Sequence, residues 1–216
     1  MQISTLQAIS PIDGRYQHIT QPLSAYFAEE ALIRYRLFVE VEYFIYLGEK
    51  KFFPIPASLK NKLRKTVLTF SLAMAEEIKA TEAITNHDVK AVEYFLKNKL
   101  EQWGASHLKE WVHFGLTSQD INNTAVPLLW KDALEQYYLP LLLTLQQHLS
   151  QLAKAWRNIP MLARTHGQPA SPTRLGKEIN VFVERLQNQV QLLSHIPFMA
   201  KFGGATGNLN AHVVAF

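Results

Sequence analysis

The chain has 216 residues, 48% of them apolar, 11% aromatic and 19% charged, with a formal net charge of +4. That is enough apolar material for a packed core, which excludes a chain disordered by composition. It contains no cysteine, so disulfides, thiolate zinc sites and cysteine nucleophiles are excluded together, and a reducing, cytoplasmic setting is expected.

The mild positive balance suits an anionic ligand without requiring one. Lys60, Lys62, Arg64 and Lys65 are spread around a helical stretch and read as a solvated face, so no nucleic-acid partner is expected. Residues 1–11 show no basic start followed by an apolar run, and no stretch reaches the roughly 18 apolar residues of a membrane span. Neither export nor membrane insertion is expected.

After a polar lead, apolar residues recur at helical spacing over residues 23–47, with Gly48 as a plausible stop. Pro54 and Pro56 mark a loop, and Leu59, Leu63, Val67, Phe70, Met74 and Ile78 step by three or four through a second predicted helix. A third helix is predicted from residues 85–88, where Thr85 and Asp88 have the spacing of a capping box, to about Gly104. A short helical piece over 107–114 stops at Gly115. Thr117 and Asp120 repeat the capping spacing and open the longest periodic segment, to about Arg157, roughly 60 Å at 1.5 Å per residue.

Within that segment Leu134, Tyr138, Leu141, Leu145, Leu149, Leu152 and Trp156 form the seam of a left-handed bundle, and Pro127 and Pro140 should bend it. Residues 158–172 hold three prolines and read as a long turn. A partner helix follows, carrying Leu175, Ile179, Phe182, Leu186, Val190 and Leu193. The expected fold is all-α: a small helical domain over residues 1–110, then two long antiparallel helices over 111–216 as the first part of an incomplete bundle.

Three polar clusters fall where helices begin or in turns between them, where backbone N–H groups can meet an anion: residues 85–88, 117–123 and 164–168. On spacing alone the first two read as plain capping boxes before anything functional. His166, beside Gly167 in a polar turn, is either a surface histidine or a group that moves a proton near neutral pH. The run 203–208 (GGATGN) lacks both the lysine of a phosphate loop and a preceding strand, and reads as a tight turn or a backbone contact point.

Taken in order, residues 10–16 (SPIDGRY), 85–95 (TNHDVKAVEYF), 117–123 (TSQDINN) and 164–170 (RTHGQPA) closely resemble the motifs of bacterial adenylosuccinate lyases, and residues 203–210 (GGATGNLN) resemble the turn that follows them. The likeness runs along essentially the whole chain and corresponds to the N-terminal half of such enzymes. Other members of the fumarase and aspartase superfamily, such as argininosuccinate lyase, share the helical scaffold but not this set.

The resemblance implies a homotetramer with a helical core, active sites that gather loops from three subunits, and elimination of fumarate from succinylated purine nucleotides, with no cofactor or metal. Carried over residue by residue, it implies that His166 is the general acid that protonates the leaving nitrogen, with His87 a second functional imidazole. It gives Arg15 and Tyr16 the nucleotide phosphate, and Asn86, His87 and Asp88 the nucleotide and substrate positioning. Thr117 and Ser118 would bind a succinyl carboxylate, with Gln168 beside them. The family's base, a serine in a Ser-Ser-x-Met-Pro-x-Lys-x-Asn-Pro loop, has no counterpart among these residues, so these residues alone are expected to be inactive. The rival readings are a helical assembly module that kept the scaffold without the chemistry, and an argininosuccinate lyase, which would bring no purine recognition.

Overall fold

The structure, a computed structural model, describes residues 4–216, so the first three residues of the polar lead lie outside it. Short helical turns α1 (Gln17–Thr20) and α2 (Ser24–Phe27) precede the first long helix, α3 (Glu29–Glu49). Then follow α4 (Ala57–Leu68), α5 (Leu72–Thr85), α6 (Asp88–Gln102), a 3-10 segment Ser106–Trp111, and α7 (Ser118–Ala133). After a π-helical turn Leu134–Tyr138 come α8 (Leu139–Ala155), β1 (Pro160–Thr165), β2 (Gln168–Arg174), α9 (Leu175–Ser194) and α10 (Asn210–Ala215). Among the described residues no helix is long and apolar enough to cross a membrane.

The residues form two compact units. One holds the chain up to Lys131 together with Met199–Phe216; the other is Asp132–Phe198. The division therefore lies some twenty residues beyond the composition shift near residue 110, and the chain returns to the first unit at its end.

In the first unit α3 is the central helix. Leu37, Val41, Phe44 and Ile45 of α3 are buried with Leu63 of α4, Ile78 of α5, and Val92, Phe95, Leu96 and Leu100 of α6. Two boundaries differ from the periodicity. Ala28 is extended (φ −70°, ψ 156°) and Glu29 and Glu30 open the helix, so α3 starts six residues later than its apolar pattern. Gly48 lies inside the helix, where an added Cβ would stand 2.4 Å from Ile55 Cγ2. It is there for close approach, and the chain leaves the helix at Lys51, which has φ 68°.

The predicted second helix is two. Thr69 closes α4, its hydroxyl donating to the Lys65 carbonyl at 2.9 Å, and Ser71 is extended before α5 begins. The apolar series crosses this break without changing step, because a brief break can preserve the phase of two successive helices on the same core. Periodicity alone could not show it.

The long helix expected over residues 117–157 runs as α7, the π-helical turn and α8 without a gap, and in the second unit its last stretch, α8, pairs with α9 as the expected antiparallel partner. The start of α9 meets the end of α8: the Gly176 N–H donates to the Trp156 carbonyl at 3.1 Å, and Leu175 donates to Ile159 at 3.0 Å. Pro140 has no N–H for the Gln136 carbonyl. The turn just before it widens to π geometry, with Leu139 N–H reaching back to Leu134.

The stretch expected as a long turn is an antiparallel hairpin, β1 with β2, an addition to the otherwise helical fold. Its two-residue turn is His166-Gly167, with φ 51° and 78°. Positive φ at both central positions is the turn whose twist suits a hairpin. The prolines that suggested a loop sit on strands open to solvent on the other edge, where a missing N–H costs nothing.

Gly176 fixes how closely the two long helices meet, since a Cβ there would lie 2.2 Å from the Ala153 carbonyl oxygen and 2.5 Å from Arg157 Cα. Both are backbone atoms that cannot swing aside. Gly176→Val should lower the melting temperature in a thermal scan, at a cost of about 1–3 kcal/mol for the overpacking. An unchanged Tm would show that the α8–α9 contact is looser than described.

Candidate active site

The α5–α6 connection is two residues long. Asn86 takes the left-handed conformation (φ 50°, ψ 34°), its N–H still bonded to Glu82, and His87 is extended (φ −148°, ψ 110°). Asparagine is among the residues that enter this region most readily. The helix cap is His87 itself: its Nδ1 accepts the Lys90 N–H at 3.1 Å. The Thr85–Asp88 capping box is thus a misreading, because Thr85 is the last residue of α5 and its hydroxyl bonds back to Thr81 at 3.1 Å.

This cap fixes the imidazole. With Nδ1 accepting a backbone N–H, the neutral ring carries its hydrogen on Nε2, which faces the Ser118 hydroxyl at 3.3 Å. His87 thereby offers a donor to the site, with its other nitrogen already used.

Ser118 is the first residue of α7, and Thr117 stands before it as expected from the capping spacing. The Asp120 carboxylate reaches back to the Thr117 N–H at 2.9 Å, and the Thr117 hydroxyl donates to the same oxygen at 3.3 Å. Asp120 is 2% exposed and also accepts the Gly203 N–H (3.0 Å), the Gly204 N–H (3.1 Å) and the Lys201 ammonium (2.7 Å). The glycine run near the C-terminus therefore serves as a backbone contact point. Burial pushes the Asp120 carboxyl up, but these donors outweigh it and hold its pKa below the ordinary aspartate value.

Arg36, on α3 and only 8% exposed, joins the two clusters. Its Nη2 pairs with Asp88 at 2.6 Å, and its Nε donates to the Asn122 side-chain oxygen at 2.8 Å. Burial raises the Asp88 carboxyl, while the Val89 N–H and Arg36 together bring it below the ordinary range. The first unit thus brings Asn86, His87, Asp88, Thr117 and Ser118 together.

Arg15 and Tyr16 lie in a turn of their own, with the guanidinium 5.3 Å from the Tyr16 ring centre. Among the described residues no hydrogen bond or ion pair joins them to the other clusters. His166 and Gln168 are exposed in the second unit, one in the hairpin turn and the other opening β2. Among the described residues no group of three His, Asp or Glu is arranged to hold a metal ion.

Sequence reasoning gave Arg36, Asp120, Asn122 and Lys201 no part in the site. Asp120 and Asn122 sat inside a quoted motif, where the capping reading explained one and gave no role to the other. Arg36 could have been suspected as a charge in a phase of α3 otherwise filled by apolar residues.

Residues 14–215 match the Lyase family profile. The chain belongs to the lyase family. Its relatives within that family include adenylosuccinate lyases of Dictyostelium discoideum (52% identical), Legionella pneumophila strain Corby (45%) and Escherichia coli K12 (40%), each aligned with all of this chain and 48% of its own length. The chain spans about half the length of the curated relatives it matches. Solved structures share the fold: a fumarate lyase from Mesorhizobium sp. BNC1 superposes with a TM-score of 0.73 at 23% identity, over 88% of this chain and 44% of that one. A β-carboxy-cis,cis-muconate cycloisomerase from Acinetobacter calcoaceticus sp. ADP1 gives 0.70 at 22%, over 89% and 44%.

Asp120→Asn removes an anion that five donor groups share and puts an amide N–H among them. We expect a loss of about 1.5–3 kcal/mol, the range for hydrogen bonds to a charged group. Because the folded pKa is depressed, the carboxylate's contribution is present above the ordinary aspartate range and is lost as pH falls through the folded value. Urea titrations from neutral to acid pH should show that limb flattened in the variant.

Proposed function

We propose that the protein is an adenylosuccinate lyase, which eliminates fumarate from adenylosuccinate and from the succinylated carboxamide ribotide of purine synthesis. The observation that carries the reading is the meeting of the residue 86–88 cluster with the head of α7, through His87 and Ser118 and through Arg36. Relatives of that name over the whole chain support it.

In this reading Thr117 and Ser118 bind a carboxylate of the succinyl group, and hydroxyls at a helix start suit an anion. Asn86, His87 and Asp88 position the substrate, His87 through its Nε2–H. Arg15 and Tyr16 take the phosphate, where a guanidinium fork matches the oxygens. A base removes the proton beside a carboxylate, the carbon–nitrogen bond breaks, His166 protonates the departing nitrogen, and fumarate leaves. Gln168 stands two residues from His166, across the turn. No residue here matches the family's serine-loop base.

We also propose self-association, up to the tetramer of the family, and a cytoplasmic location. In the second unit Leu141 is 55%, Leu145 49%, Phe182 58% and Leu192 61% exposed, and covering such side chains is worth roughly 1.5–3 kcal/mol each.

With adenylosuccinate supplied, these 216 residues should bind the nucleotide without releasing fumarate, because donor and base are both needed. Fumarate from this chain alone would overturn that. In the protein equipped with a serine loop, His166→Ala should cut kcat by roughly 10² to 10⁴ with a smaller effect on binding. Arg15→Ala should weaken binding chiefly, since the phosphate is remote from the breaking bond. Steady-state kinetics separates the two, and an unchanged kcat for the His166 variant would remove it from the mechanism.

A further inference from the structure

Beneath the candidate site lies a cluster of ionisable groups that the elimination does not use. His113 sits in the stretch between the 3-10 segment and Thr117, with the left-handed backbone (φ 60°) that a non-glycine residue adopts only when its surroundings hold it there. Its Nδ1 is 2.5 Å from Glu40 Oε1 on α3, and its Nε2 is 3.7 Å from Glu93 Oε1 on α6. The Glu40 side chain is fully buried and that of Glu93 is 5% exposed. Lys90 pairs with the second Glu93 oxygen at 2.7 Å, and Glu40 Oε2 has no hydrogen-bond partner among the described residues.

The charges facing His113 are therefore Glu40 from α3, and Glu93 and Lys90 from α6. Two carboxylates against one ammonium leave a buried negative charge, and an imidazolium closes the balance. Burial works against a charge on His113, but the Glu40 bond and the two carboxylates outweigh it and raise its pKa above the ordinary histidine value. Burial also raises the Glu40 carboxyl, against the pull of His113.

The same stretch is gripped once more, by the Tyr43 hydroxyl donating to the Phe114 carbonyl at 2.8 Å. The Leu116 N–H then closes back on the His113 carbonyl at 3.1 Å, and the next residue is Thr117. We propose that His113 is a positioning residue: as an imidazolium clasped by Glu40 and Glu93, it pins the 113–117 turn so that Thr117 and Ser118 are held ready, and loss of its proton slackens them. Its effect on turnover rests on the lyase reading; the clasp itself does not.

The sign follows from the raised value. The clasp is fully formed below the ordinary histidine range and is lost as pH rises through the folded pKa of His113. Two measurements on the 216-residue chain need no substrate. Imidazole NMR should show His113 titrating above 6.5, its ordinary value, and lower again in Glu40→Gln. Hydrogen exchange at the Leu116 and Thr117 amides should accelerate, as His113 deprotonates, beyond the tenfold per pH unit of base catalysis. A wild-type His113 that titrates at or below its ordinary value, or exchange that follows base catalysis alone, would overturn the proposal even if Glu40→Gln does not fold.

In the protein equipped with a serine loop, Glu40→Gln should lower kcat/KM for adenylosuccinate roughly 10- to 100-fold at neutral pH, the scale of a misplaced contact. It should also move the alkaline limb of the pH profile to lower pH. A merely structural loss would scale the profile without moving that limb, and that result overturns the positioning role. Absence of turnover in the wild-type protein would count against the lyase reading alone, with the titration still deciding the clasp.

Discussion

The Asp120 carboxylate accepts hydrogen bonds from three backbone N–H groups, the Thr117 hydroxyl and the Lys201 ammonium, and the first unit closes around it. A buried carboxylate without partners would cost several kcal/mol, so its presence here obliges the chain to bring residues 201–204 back to the start of α7. With the packing of Phe202, His212 and Phe216 on Tyr43, Phe52 and Phe114, this constraint holds Met199–Phe216 in the first unit. It also fixes Thr117, whose N–H and hydroxyl both donate to the same Asp120 oxygen.

A second constraint runs along α3. Arg36, Glu40 and Tyr43 are spaced by four and three, and so lie on one face of that helix. Arg36 holds Asp88 and Asn122, Glu40 holds His113, and Tyr43 holds the Phe114 carbonyl. The central core helix carries a polar stripe along its length, and each polar member supports a different piece of the candidate site. The apolar remainder of α3 packs against α4, α5 and α6, so the supports share a rigid base.

The legible part of the sequence was the part governed by local physics. Helical periodicity located α3 and the α8–α9 pair, and Thr117 and Asp120 marked the head of α7 because their spacing is a local signal. What escaped depended on partners far along the chain. Asp120 looked like a cap and was also the anchor of a loop some eighty residues later, and nothing local to Arg36 or Glu40 pointed to their partners. The Thr85–Asp88 spacing was right for a cap, but the helix before it ran on to Thr85, and His87 took the capping role that threonine usually fills. In the hairpin, three prolines outweighed the His166-Gly167 turn signal, since histidine is less often found at positive φ than asparagine. Which residues met in space was legible only through the resemblance of whole motifs.

The β1–β2 hairpin bears on how His166 is presented. Two strands of six and seven residues make a ribbon about 20 Å long at roughly 3.3 Å per residue, with the imidazole of His166 at its tip and a register irregularity between Leu162 and Arg164 adding local twist. A loop of the same length would have to surrender its conformational freedom whenever the imidazole met its target. The ribbon has surrendered most of it on folding, through its ladder of cross-strand bonds. A stiff arm of this kind can carry an imidazole well away from the helices that bear it, with little entropy left to lose when it meets a ligand.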